Sequence, residues 1–244
     1  MIDWLRRDPA EKPPVRSIIL NGRALPLAII RHPTAKRLTL RLAPDGEGVK
    51  VTIPRWGRVG DALDFARSRT DWLEAELAKR PRRAPPVPGG IIHYRGSELP
   101  IEWSPKAPRQ PNADDSQIYL GGPEASIEAR LKRWLRDRAM ELFEADAAEY
   151  SAMIDLPPPP LSLSTARRRW GSCASDGTMR LNWRLVQAPD HVRRSVVAHE
   201  TAHRVHFDHS PAFHALLAQL FGPELPAADR WLKDHGPGLF STFG

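Results

Sequence analysis

The pentad His199-Glu200-Thr201-Ala202-His203 sets two imidazoles four residues apart with a carboxylate between them. On a helix, positions four apart lie one turn apart on one face, so both rings can close on a single metal ion. The intervening Glu200 is then placed to take a proton from a metal-bound water. This is equipment for metal-assisted hydrolysis. It needs a third protein ligand and an open fourth position, and His206, His209 and His214 are the candidates. His206 would project on the same side of a continuing helix, but about 10 Å along the axis from His199. Three ligands in a row on one rod cannot surround an ion tetrahedrally. Ser210-Pro211 reads as an N-cap followed by proline at the first helical position, so a second helix starts there. The chain must therefore turn through 206–209, which can swing His209 back toward the first helix. His209 is the favoured third ligand; His214, one turn into the second helix, more naturally packs or faces solvent.

The element that must present the pentad is itself legible. Val192, Val196 and the pair His199/His203 recur at helical spacing, and Pro189-Asp190 is a plausible start, so the pentad lies in a helix of about four turns. Just ahead stand Arg169-Trp170-Gly171-Ser172-Cys173 and Met179-Arg180-Leu181-Asn182-Trp183-Arg184-Leu185. Thr178–Val186 reads as a strand. It is the candidate for a strand lying beside the metal helix, where an extended peptide can add to an open edge.

The two blocks together, "WGSC … LNWRL" and His-Glu-x-x-His followed after five residues by His-Ser-Pro-x-Phe, resemble the YgjP-like and SprT-like zinc metallopeptidases, a branch of the zincins. The resemblance covers residues 165–214. It implies a zinc-dependent peptidase with Zn2+ held by His199, His203 and His209, Glu200 as the catalytic base, and a peptide or protein substrate. Thr201 stands where the family usually carries an apolar residue, and His214 where a tryptophan is common. Two alternatives accompany this reading: a metal-dependent nucleotide pyrophosphohydrolase whose arginines hold phosphates, and a non-catalytic module in which zinc is structural. No residue singles itself out as oxyanion stabiliser or substrate-binding group.

Composition narrows the setting. The 244 residues carry 36 Lys+Arg against 29 Asp+Glu, a net charge of +7, and 41% hydrophobic residues. Such a balance favours anionic partners only weakly, and the basic residues scatter over many elements rather than forming a platform, so a nucleic-acid partner is a secondary reading. Cys173 is the one cysteine and cannot form an internal disulfide, which fits a reducing cytoplasm. It reads as a small packed residue rather than a reactive thiol. No signal peptide or membrane span is visible, so a cytoplasmic protein is expected.

Along the chain, residues 1–14 read as a loose arm. Residues 15–122 read as a small antiparallel β-rich module containing one helix. Its hairpins fall at Asn21-Gly22, at Pro44-Asp45-Gly46 and at Arg95-Gly96, Gln117–Leu120 can pair with the last, its helix spans about 60–80, and Pro81–Gly90 is a linker. Residues 124–244 read as the zincin-like catalytic domain, giving an α+β class overall. Its long helix runs from Ser126 to about Tyr150, and Trp231-Leu232 belong to a final packing helix. Trp170 and Trp183 are expected in the core. No internal repeat is apparent.

Overall fold

Alternating apolar residues on either side of Asn21-Gly22 close a tight hairpin between β1 (Ser17–Leu20) and β2 (Arg23–Arg31). Both turn residues have positive φ, 47° and 74°, the backbone that a two-residue hairpin turn demands. The computed structural model describes residues 16–43, 46–78 and 84–243. The arm expected over 1–14 and the turn residues Pro44 and Asp45 lie outside them.

The chain divides into two compact units, 1–80 and 81–244. In the first unit, β3 (Thr39–Leu42) and β4 (Val49–Ile53) complete a sheet of order β1-β2-β4-β3. The β2–β4 pairing is parallel, so the sheet is mixed where an antiparallel one was expected. Val49, Val51 and Ile53 are buried between Ile18, Leu20, Leu25 and Leu27 and the helical residues Ala62, Ala66 and Leu73. The helix expected over 60–80 is two helices, α1 (Val59–Arg67) and α2 (Thr70–Ala78). Hydroxyls break it: Ser68 Oγ donates to the Phe65 carbonyl and Thr70 Oγ1 to that of Arg67, competing with the helical ladder.

The second unit opens on β5 (Ile91–Tyr94), β6 (Ser97–Ser104), β7 (Asn112–Ala113) and β8 (Ile118–Gly121), in the order β5-β6-β8-β7. This repeats the first sheet. Each has an antiparallel hairpin, a parallel second pairing and an antiparallel third. The hairpin registers agree residue for residue, with Ser17 opposite Pro26 and Ile91 opposite Pro100. Leu20-Asn-Gly-Arg-Ala-Leu-Pro-Leu27 and Tyr94-Arg-Gly-Ser-Glu-Leu-Pro-Ile101 occupy the same places. An internal repeat is therefore present, contrary to the reading from sequence; too few of its side chains are shared for the similarity to stand out.

From there α3 (Ile127–Ala152) runs through the core, burying Leu131, Trp134, Leu135 and Phe143 against β6, β8 and the elements that follow it. β9 (Leu161–Ser164), β10 (Gly171–Cys173) and β11 (Met179–Asn182) form a small sheet of order β10-β11-β9. The strand expected over 178–186 stops at Asn182. Its side-chain oxygen accepts from the Arg184 N–H and starts a 3-10 turn, Trp183–Gln187. The chain continues as α4 (Asp190–Ala202), α5 (Pro211–Phe221) and α6 (Leu225–His235). No helix of the described residues is long and apolar enough to cross a membrane.

Candidate active site

α4 exists because one face is apolar: Val192, Val196, Val197, Ala198 and Ala202 are all buried. Its position is set by ion pairs that few buried charges escape needing. The Arg193 side chain is 3% exposed, and its Nε donates to Asp146 of α3 at 2.8 Å. Arg194 donates to Asp146 at 3.1 Å and to Glu149 at 2.6 Å. At the helix start, Asp190 accepts from Arg95, whose Nε–H is shared between the two carboxylate oxygens at 3.1 Å and whose terminal nitrogen donates to Oδ2, while the backbone N–H groups of Arg95 and Gly96 donate to the Val186 and Gln187 carbonyls. The hairpin turn of the second sheet thus holds the N-terminus of the pentad helix. Gly96 has no room for a side chain there, since a Cβ would lie 2.9 Å from the Pro189 backbone.

His199 and Glu200 lie in the last turn of α4 and His203 is its C-cap. The chain then reverses, and Ser210 caps α5 by accepting from the Phe213 N–H, as its sequence predicts. The reversal brings His209 back: its Nε2 is 3.4 Å from His199 Nε2. Ligand atoms of His199, His203 and His209 all fall within 4.8 Å of one another. Two nitrogens each about 2.0–2.1 Å from one zinc lie about 3.3 Å apart at the tetrahedral angle, which the His199–His209 separation matches.

Three further features suit a divalent metal. His203 Nδ1 lies 3.0 Å from the His206 carbonyl; a carbonyl only accepts, so Nδ1 carries the proton and Nε2 presents its lone pair. Burial and the neighbouring His203, His209 and His214 push His199 down to about 4, which keeps its imidazole neutral and able to ligate at neutral pH. Phe213, fully buried, packs under all three rings with centroids 5.0, 4.5 and 4.8 Å away. His206 contributes its carbonyl and does not join the cluster. His214 lies beside it, its ring centroid 6.3 Å from that of His209.

Glu200 is 5% exposed, and its Oε2 is buried without a hydrogen-bond partner among the described residues. Burial raises its carboxyl to about 7, with the Arg169 charge opposing. A carboxyl in that range can both accept and release a proton near neutrality. Gly171 makes this placement sterically feasible: a Cβ there would lie 2.4 Å from Glu200 Oε1 and 2.6 Å from its Cγ. The residue was visible in the sequence as part of a motif, but its task was not.

β10 contains Gly171 and runs beside α4. It is the edge of its sheet, whereas β11 is the central strand, paired on both sides. The strand with an open edge next to the pentad is therefore Gly171–Cys173 and not Thr178–Val186. Next to it opens a cleft of about 410 Å3 with apolar walls from Val196, Phe213, Leu217 and Leu225, and with Arg169 and Asp229 among its polar lining. Trp170 borders this cleft and stacks on Phe240 at 5.6 Å, while Trp183 is fully buried in the core. Cys173 is half-buried, and burial together with the Glu200 charge raises its thiol above the ordinary range.

No curated protein and no solved structure matches the chain. A family model described as the YgjP-like, metallopeptidase domain matches residues 36–235, well over half of the sequence. The chain accordingly belongs to the YgjP-like metallopeptidase family.

Proposed function

We propose that this protein is a zinc-dependent peptidase in which His199, His203 and His209 hold the ion and Glu200 is the general base. The observation that carries this reading is the buried, unpartnered Glu200 Oε2 beside three imidazoles whose ligand atoms converge. An orphaned buried oxygen costs free energy unless something completes it, and a water held by a metal in the cluster would complete it. An all-imidazole set suits zinc better than magnesium or calcium, which prefer oxygen ligands. A bound zinc would supply Lewis-acid activation of water and of the scissile carbonyl.

The chain's own groups do the rest. Glu200 takes a proton from the attacking water and returns it to the leaving amine nitrogen as the C–N bond breaks. Phe213 and the apolar cleft walls give the cluster a floor that cannot hydrogen-bond. The open edge of β10 can pair an extended peptide by main-chain hydrogen bonds, fixing the scissile bond over the site. Three imidazoles, with Cys173 in a separate strand as the one thiol, would leave a bound zinc a fourth position for water, as a hydrolytic rather than a structural site requires.

The test is hydrolysis of a casein-type protein substrate and of a nucleoside triphosphate panel by the zinc-loaded chain and by Glu200→Gln. Peptide-bond cleavage that chelation abolishes, zinc restores and the substitution lowers at least ~100-fold is the expected result. Phosphate release from nucleotides without peptide cleavage would contradict the peptidase reading, and peptide cleavage at an undiminished rate in Glu200→Gln would remove Glu200 from it.

A further inference from the structure

The two copies of the four-stranded motif have diverged in charge and in what they engage. Residues 1–80 hold 16 Lys+Arg and 10 Asp+Glu, a net charge of +6, whereas residues 81–244 hold 20 and 19, a net charge of +1. Nearly the whole basic excess of the chain therefore sits in its first unit. In the second copy, the hairpin turn at Arg95-Gly96 is committed to holding the start of α4. Its counterpart at Asn21-Gly22 is held by its own unit, with the Asn21 N–H donating to Glu74.

In the first unit, an open cleft of about 340 Å3 lies between the edge strand β3 and helices α1 and α2. Arg37, Thr39, Phe65, Arg69 and Trp72 line it, and among the described residues no carboxylate does. Trp72 is 47% exposed, and the Arg69 guanidinium lies 5.9 Å from the centre of the Phe65 ring. A second indole, Trp56, is 75% exposed in this unit. Its turn is held by Arg31, which donates to the carbonyls of Arg55 and Gly57 on either side. Large aromatic faces left in water beside guanidinium groups are what a strand of stacked bases and phosphates requires. A peptide added to the β3 edge would use neither the charge excess nor the exposed indole.

We infer that this cleft binds single-stranded nucleic acid, with a base stacked on Trp72 and backbone phosphates on Arg37 and Arg69. A duplex keeps its base faces internal and cannot use the indole, so the preference is for single strands. The inference is independent of the peptidase reading, because none of these residues lies in the candidate active site.

The experiment is fluorescence anisotropy of labelled oligo-dT and oligo-U of about 20 nucleotides, and of a duplex, titrated with the full chain at low and raised salt. Single strands should bind more tightly than duplex, with affinity falling as salt rises. Trp72→Ala, which leaves the charge unaltered, should weaken binding roughly fivefold or more. The double variant Arg37→Glu/Arg69→Glu, on exposed positions, should weaken it and lower the salt slope by about two. Absence of binding at low salt, equal affinity of the double variant and wild type, unchanged affinity of a folded Trp72→Ala, or duplex binding as tight as single-strand binding would each overturn the inference.

Discussion

Replacing Glu200 by glutamine should stabilise the metal-free protein at pH 8 while it destroys the site's chemistry. The Glu200 carboxyl is 5% exposed and lies at about 7 instead of 4.5, because burial disfavours its charged form. A folded-state value above the unfolded one means that the stability contribution is fully present below about pH 4.5 and is lost as pH rises through about 7. At pH 8 the difference amounts to about 3 kcal/mol against the native state. Glutamine, neutral at every pH, escapes this cost. For a chain of this size that corresponds to a melting temperature higher by roughly 6–12 °C. The assay is thermal and urea unfolding of chelator-treated wild type and Glu200→Gln at pH 8 and pH 4. Equal stability at pH 8, or a gain that persists undiminished at pH 4, would refute the reasoning, since either would show that the native fold does not disfavour the carboxylate.

Further expectations concern the groups around the site. Gly171→Ala inserts a methyl group 2.4 Å from Glu200 Oε1, so peptide hydrolysis should fall at least ~100-fold with circular dichroism unchanged; retention of full activity would show that Glu200 need not sit against β10. Asp146→Ala leaves the Arg193 Nε of a side chain 3% exposed without its acceptor, with Asp190 as the remaining carboxylate, and should cost about 1–3 kcal/mol in denaturant unfolding. Cys173, whose thiol is raised by burial and by Glu200, should react with iodoacetamide at pH 8 more slowly than a free thiol, and Cys173→Ser should keep its metal.

Local signals carried much of this structure in readable form. The pentad helix announced itself through Val192 and Val196, the chain reversal through Ser210-Pro211, and the hairpins through Asn21-Gly22 and Arg95-Gly96. Features that depend on distant partners or on very short segments did not. β10 has only three residues, too few to show a period of two, so its place at the sheet edge passed to the longer run 178–186. That run keeps alternating through Trp183-Arg184-Leu185, and only the Asn182 cap reveals where the strand stops. The parallel pairing of β2 with β4, the Arg193–Asp146 contact across 47 positions and the crowding of Gly171 against Glu200 are tertiary facts without a local pattern. The repeated sheet lay in between, since its shared residues are hairpin-turn and Leu-Pro positions that many unrelated hairpins also use.

The account stands on three imidazoles, one of them delivered by the turn before α5, converging on a single ion. Zinc content of purified wild type beside His209→Ala tests it most directly. Close to one equivalent in wild type and a large loss in the variant is the predicted outcome. Equal zinc in both proteins, with the variant folded, would contradict it.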